Sequence, residues 1–344
     1  MSASKAIALL SPAVGTGNIG DHFIELAIRR FFPADTEFRQ IGIRSRLKDA
    51  QLESINESRC ALLCGTNLYQ HDWHSELTPA DLDRIKVPVV PFGVGSSAES
   101  LSQISVSRQT REMIIALHAH CDTGSVRDPH ALAVVSELGV KNVRLTGCPV
   151  LFWAQQPDLP PVRPIPHEDV VITARNWLMH RWPDAVDHPV QIAFLDTVIK
   201  NFSSVPWLYA LHEDFDESLL SKLGIAERNI FRGSTAEDFI ALYRDQKHVV
   251  LASRLHGGML ALANGVPAVF VGHDTRTYSF CDLMGLDYVE LFSDGAADVA
   301  TQRLRRILEG DASEFADLNR RFQSLRQEMS LFRRENSLTV EVLI

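Results

Sequence analysis

Short apolar runs alternate with longer amphipathic stretches along this chain, the pattern of parallel strands joined by crossover helices. In the first half, Ala6 to Leu10, Phe38 to Ile43, Cys60 to Cys64, Val87 to Phe92, Thr123 to Val126 and Val143 to Leu145 read as strands. Phe23, Ile24, Ala27, Ile28 and Phe31 share one face of a helix predicted from about Asp21 to Phe31, and further helices are expected at Ser102 to His118 and Asp128 to Leu138. Pro157, Pro160, Pro161, Pro164 and Pro166 then break both periodicities and mark a hinge-like linker. The alternation restarts beyond it. Strands are predicted at Val170 to Thr173, Trp207 to Leu211, Asn229 to Phe231, Val249 to Ala252 and Ala268 to Val271, with helices at Pro189 to Phe202, Glu217 to Leu223 and Ala236 to Arg244. A charged helical stretch, Ala297 to Arg334, is expected to pack back across the first half. The pattern predicts an α/β fold of two Rossmann-like domains with a cleft between them. Residues 1–156 form the first domain, 157–167 the linker, 168–300 the second domain and 301–344 a C-terminal helical segment.

Composition narrows the function. A hydrophobic share of 45% supports a sizeable core, while the net charge of −9 and the lack of a Lys/Arg block argue against a nucleic-acid partner. A small anionic substrate would need a local cluster of arginines working against that global field. No run reaches transmembrane length, and the N-terminus lacks a signal-peptide pattern, so a cytoplasmic location is expected. Cys60, Cys64, Cys121, Cys148 and Cys281 are odd in number and lie mostly on or beside apolar strands, so they read as reduced core residues. Cys60 and Cys64 have no second ligand pair at zinc spacing.

The most informative segment is Val249 to Val271. There Ser253-Arg254-Leu255-His256-Gly257 stands between a buried strand and a small-residue helix that Asn264-Gly265 stops. Ligands of doubly wound sheets sit beyond the carboxyl ends of the strands, where helix N-termini favour anions. Arg254 and His256 therefore point at a ligand, and Arg175, which follows the strand Val170 to Ala174, would face the same cleft. These residue types also admit a purely structural use, with Arg254 capping a carboxylate and His256 satisfied within its loop. Gly15-Thr16-Gly17-Asn18-Ile19-Gly20 is a literal GxGxxG, but a Ser-Pro loop separates it from its strand, which argues against a dinucleotide turn. In Asn18-Ile19-Gly20-Asp21, Asp21 stands at a helix start and suits an N-cap. Gly65 and Asn67, Gly93 and Gly95, and Arg127-Asp128 end three other strands on the same edge. His71-Asp72-Trp73-His74 reads as a solvated or sugar-facing loop with an aromatic suited to stacking, and no metal site is expected. Neither a nucleophile elbow nor a Walker loop is present.

Taken together, the chain resembles the polysaccharide pyruvyl transferase family. The likeness rests on Asn18-Ile19-Gly20-Asp21, the glycines at Gly65 and Gly93 to Gly95, Ser125-Val126-Arg127-Asp128 and, above all, Ser253 to Gly257 followed by Ala261 to Pro267. It spans about residues 6 to 290. Cys64-Gly65-Thr66-Asn67 has fewer glycines than the family's loop, which bears on the acceptor. The resemblance implies a GT-B-like arrangement and transfer of a pyruvyl group from phosphoenolpyruvate to two hydroxyls of a sugar, free, lipid-linked or polymeric, as a cyclic ketal. No cofactor is implied beyond phosphoenolpyruvate as donor substrate. It further implies Arg254 and Arg175 as the donor clamp flanked by Ser253, Leu255 and Gly257, His256 as general acid and Asp21 as base. Asn18, Gly65, Asn67, Gly95 and Arg127 would lie on the acceptor side of the cleft. The alternatives are a GT-B glycosyltransferase using a nucleotide-sugar and a sugar-binding relative without chemistry.

Overall fold

A computed structural model describes residues 6–98, 100–176, 188–272 and 274–338. The first half runs β1 (Ile7–Ser11), α1 (Ile19–Arg29), β2 (Phe38–Gly42), α2 (Asp49–Asn56), β3 (Cys60–Cys64), α3 (Pro79–Arg84), β4 (Val89–Phe92), α4 (Arg108–Ala119), β5 (Gly124–Val126), α5 (Pro129–Glu137) and β6 (Val143–Leu145). The second runs β7 (Asp169–Thr173), α6 (His188–Asn201), β8 (Trp207–Ala210), α7 (Glu217–Leu223), β9 (Ile230–Phe231), α8 (Ala236–Tyr243), β10 (His248–Ala252), α9 (Leu255–Leu262), β11 (Ala268–Gly272), α10 (Thr275–Met284), β12 (Tyr288–Glu290), α11 (Ala296–Leu308) and α12 (Leu318–Glu335).

All strand pairings are parallel. The central strands are buried on both faces, which is why they read as continuous apolar runs. The first sheet is ordered β2-β1-β3-β4, and a parallel bridge between Val94 and Val126 carries it on to the β5-β6 pair. The second is ordered β12-β11-β10-β7-β8-β9, the doubly wound order of a dinucleotide-binding sheet. Each order reverses once, at β1/β3 and at β7/β10. Those reversals leave crevices at the strand ends, where ligands bind in such sheets.

Local chemistry sets the element ends. Asn18 caps α1 by accepting from Gly20 N–H, and Asp128 caps α5 with Pro129 in the first turn. The N-cap of α1 is thus Asn18, and Asp21 falls inside the first turn. The helix expected from Ser102 starts at Arg108 because the Ser107 side chain accepts from Thr110 N–H. Gly265 adopts φ +76 and stops the helix after Arg254.

Residues 153–168 carry neither helix nor strand. One hydrophobic cluster runs from Ile7 and Phe23 through Phe239 to Phe332 and joins the two halves, while a second, with Leu10, Leu63, Val94 and Met113, lies in the first half alone. Phe23 of α1 packs edge-on against His212 and Phe239 of the second half, at 5.7 and 5.3 Å. Of the C-terminal stretch, α12 alone crosses back. Its Phe322 meets Phe152, its Phe332 meets Phe92, and Arg144 reaches Glu328 at 2.7 Å. By contrast α11 stays on the second sheet, where Ala300, Leu304 and Ile307 are buried against α6 and the strands β10 to β12. Residues 339–344 of the expected C-terminal segment lie outside the described residues.

A buried imidazole gives the fold an acid-sensitive point. His118 Nε2 pairs with Tyr69 Oη at 3.0 Å, Gly124 leaves the ring room, and burial pushes its pKa down to about 4. Between about pH 4 and 6.5 the unfolded chain binds a proton at this position and the folded chain does not. Stability contributed here is therefore lost as pH falls through that window, by about 3 kcal/mol in total. Denaturant unfolding of His118→Gln is expected to depend less steeply on pH over that range than the parent; equal slopes would rule the mechanism out.

Candidate active site

The two crevices open into one cleft of about 320 Å³ between the sheets, large enough for a small substrate. The second half supplies a cationic wall. Ser253 N–H and Arg254 N–H both donate to the Thr173 carbonyl, and Ser253 Oγ accepts from Arg175 N–H at 2.8 Å. Those bonds tie the ends of β7 and β10 together and set Arg175 beside Arg254. Arg276, in the first turn of α10, completes the wall and is held by Asp274 through Nε at 2.8 Å. Sequence inspection missed Arg276; the usable signal was a strand end at Gly272 followed by an Asp N-cap. Burial, then Arg276 and Arg254, pull the Arg175 pKa well below the ordinary arginine value.

Arg254 lines the cleft, but most of its guanidinium is already engaged by carboxylates. Its Nε and Nη2 bind Asp216 at 2.9 and 2.6 Å, and Nη2 also reaches Glu213 at 2.9 Å. Asp216 is fully buried and also accepts from Asn176 N–H. Only Nη1 of Arg254 makes no hydrogen bond among the described residues. The structural use foreseen for Arg254 thus coexists with its place in the cleft.

His256 sits at the centre. Arg127, reaching over from the first half, donates from Nη1 to His256 Nε2 at 3.0 Å and from Nη2 to Asn67 Oδ1. An arginine can only donate, so Nε2 is the acceptor and a neutral ring carries its proton on Nδ1. Burial, followed by Arg127, Arg276, His212 and Arg254, holds the pKa well below 6.5. The residue for which the resemblance implies a general-acid role therefore sits in a pocket that disfavours its protonation. The reason is tertiary: Arg127 lies 129 positions away in the chain. On the other side the ring abuts Gly20, where a Cβ would stand 2.9 Å from Nδ1.

Asp21 faces this wall from the first turn of α1. Arg44 donates to it at 3.0 Å, yet burial outweighs Arg44 and raises its pKa above the usual carboxylate value. Asn18, Asn67, Arg127, Ser253 and Leu255 also line the cleft, whereas Gly65, Gly95 and Gly257 do not. Those three glycines act from behind. A Cβ at Gly65 would strike the Gly93 carbonyl at 2.3 Å, one at Gly95 the Arg127 guanidinium at 2.2 Å, and one at Gly257 the His212 ring at 2.6 Å. His212 and Glu213, which the sequence did not single out, line the cleft after β8. His74 lines it too, but Trp73 is buried, with Nε1 donating to the Leu77 carbonyl, and is unavailable for stacking on a sugar. Among the described residues no group of three or more His, Cys, Asp or Glu side chains is placed to hold a metal, and no helix is long and apolar enough to cross a membrane. The five cysteines are unpaired, four of them buried.

Comparison with solved structures fixes the architecture. An S. aureus MnaA–UDP complex is 10% identical with TM-score 0.56, covering 98% of each chain. UDP-GlcNAc 2-epimerase from Neisseria meningitidis bound to UDP-GlcNAc is 10% identical with TM-score 0.54, covering 96% of this chain and 100% of its own. UDP-GlcNAc 2-epimerase from Methanocaldococcus jannaschii is 10% identical with TM-score 0.52, covering 96% and 99%. At such identities the likeness concerns the fold, a two-domain GT-B arrangement. No curated protein matches the chain. The sequence profile of the polysaccharide pyruvyl transferases matches residues 18–275, from the cap of α1 through Arg175 and Arg254 to the first residue of α10. The chain belongs to the polysaccharide pyruvyl transferase family.

Proposed function

We propose that the protein transfers the pyruvyl group of phosphoenolpyruvate to two hydroxyls of a sugar, closing a cyclic ketal and releasing phosphate. One observation carries the reading: Arg127, Arg175, Arg254 and Arg276 converge on a single cleft around His256 in a chain of net charge −9. A donor with both a carboxylate and a phosphate offers that many acceptor oxygens. Arg175, Arg276 and Arg254, the last through Nη1, would share its charge.

In the empty cleft burial, and then the surrounding cations, hold the His256 pKa well below 6.5. A bound trianion reverses that balance: Arg127 turns from Nε2 to the donor, the imidazolium is favoured, and it then protonates the methylene carbon of the donor. Asp21, across the cleft, takes the proton of the attacking sugar hydroxyl, a role suited by its raised proton affinity. Positive charge developing at the central carbon is met by the donor's own carboxylate, while the arginines follow the departing phosphate.

The same wall could accept the diphosphate of a nucleotide-sugar, the kind of ligand named for several structural neighbours. Calorimetric unfolding separates the two. At 100 times its Kd, phosphoenolpyruvate is expected to stabilise the protein by about 2.7 kcal/mol, with UDP at the same concentration leaving the transition unmoved. Stabilisation by UDP alone would favour the nucleotide-sugar donor.

A further inference from the structure

A ketal joins two acceptor oxygens to one carbon, so each turnover must remove two hydroxyl protons, and Asp21 accounts for one of them. This inference rests on the pyruvyl-transfer reading. Two carboxylates line the cleft among the described residues, Asp21 and Glu213. They come from opposite halves and are brought together by the backbone bond from Ile19 N–H to the His212 carbonyl at 3.0 Å. Asp21 lies two residues beyond one end of that bond and Glu213 next to the other. Each is steadied by an arginine through one oxygen, Asp21 by Arg44 at 3.0 Å and Glu213 by Arg254 at 2.9 Å. The second oxygen of Glu213 makes no hydrogen bond among the described residues, and the side chain is 20% exposed to the cleft. The nearby Asp216 and Asp274 are fully buried and committed to Arg254 and Arg276. Asp21 and Glu213 also interact, since the charge of Glu213 raises the pKa of Asp21.

We propose that Glu213 is the second proton acceptor, dedicated to the hydroxyl that closes the ketal ring. In the first step one sugar oxygen bonds to the central carbon of phosphoenolpyruvate, its proton passes to Asp21, and His256 gives a proton to the methylene carbon. That leaves a tetrahedral adduct still bearing phosphate. In the second step the carbon–oxygen bond to phosphate breaks with its electron pair leaving on phosphate. The second sugar oxygen then bonds to the same carbon, and its proton passes to Glu213. Over a turnover one hydroxyl proton replaces the one spent by His256, and the other leaves with hydrogen phosphate.

The two steps separate in heavy water, because a reversible first step washes deuterium into the donor methylene. Glu213→Gln keeps an oxygen for Arg254 and removes the base. With phosphoenolpyruvate and a panel of methyl hexopyranosides, this variant is expected to form ketal about 10²- to 10⁴-fold more slowly while still exchanging deuterium. Its KM for phosphoenolpyruvate should stay close to that of the parent. Formate is expected to restore part of the activity of Glu213→Ala. Unchanged ketal formation in Glu213→Gln would overturn the assignment. So would a parallel loss of exchange and donor affinity, which would mean that Glu213 acts only by holding Arg254. Failure of the unsubstituted protein to consume phosphoenolpyruvate would instead remove the pyruvyl-transfer reading itself, and this inference with it.

Discussion

Replacing His256 with Gln is expected to lower turnover by about 10²- to 10⁴-fold, with donor affinity nearly intact, because the arginines that hold the donor remain. The free protein holds this imidazole neutral through burial and through Arg127, Arg276, His212 and Arg254. A group that must be protonated to act then limits kcat/KM, which reports the free protein, from low pH upward. Bound donor adds negative charge and raises the pKa, so kcat is expected to hold to higher pH before it falls. Coincident falling limbs for kcat and kcat/KM would mean that the donor does not recharge His256. Normal turnover of His256→Gln at saturating donor would take the residue out of the chemistry.

Arg175→Ala and Arg276→Ala are each expected to weaken phosphoenolpyruvate binding by about 2–5 kcal/mol, measured by titration calorimetry. Both side chains border the cleft and face a donor that brings its own counter-charge. Arg254→Ala should also lower stability, since it would break the pair with the fully buried Asp216 carboxylate, just as Arg276→Ala would break the pair with Asp274. Breaking such a pair costs about 3–5 kcal/mol of folding stability. The signature of these two variants is therefore a lowered unfolding midpoint together with weakened donor binding. If Arg175→Ala and Arg276→Ala both bound donor as tightly as the parent, the cationic wall would not be the donor site.

The strands were legible because parallel strands covered on both faces are apolar throughout. Cys60–Cys64 could be bounded from the sequence alone, and β10 fell within one residue. Helix starts were less legible where a side-chain cap competes with periodicity, as Ser107 does for α4 and Asn18 for α1. Within the site, Arg175, Arg254 and His256 could be found because they follow strand ends at the crevice of an α/β sheet. Their state could not be. The Asp216 that occupies Arg254 is 38 positions away, and the Arg127 that fixes the His256 tautomer comes from the other sheet. Glu213 and His212 escaped notice because β8 is short and ends in a charged stretch that reads as a solvated loop.

Phosphate release from phosphoenolpyruvate in the presence of sugar acceptors, followed with mass spectrometry of the sugar products, tests the central claim most directly. The account predicts acceptor-dependent phosphate release matched by a sugar carrying one pyruvyl ketal, with both signals lost together in His256→Gln. Release of nucleotide from a UDP-sugar under the same conditions, with phosphoenolpyruvate left intact, would contradict it.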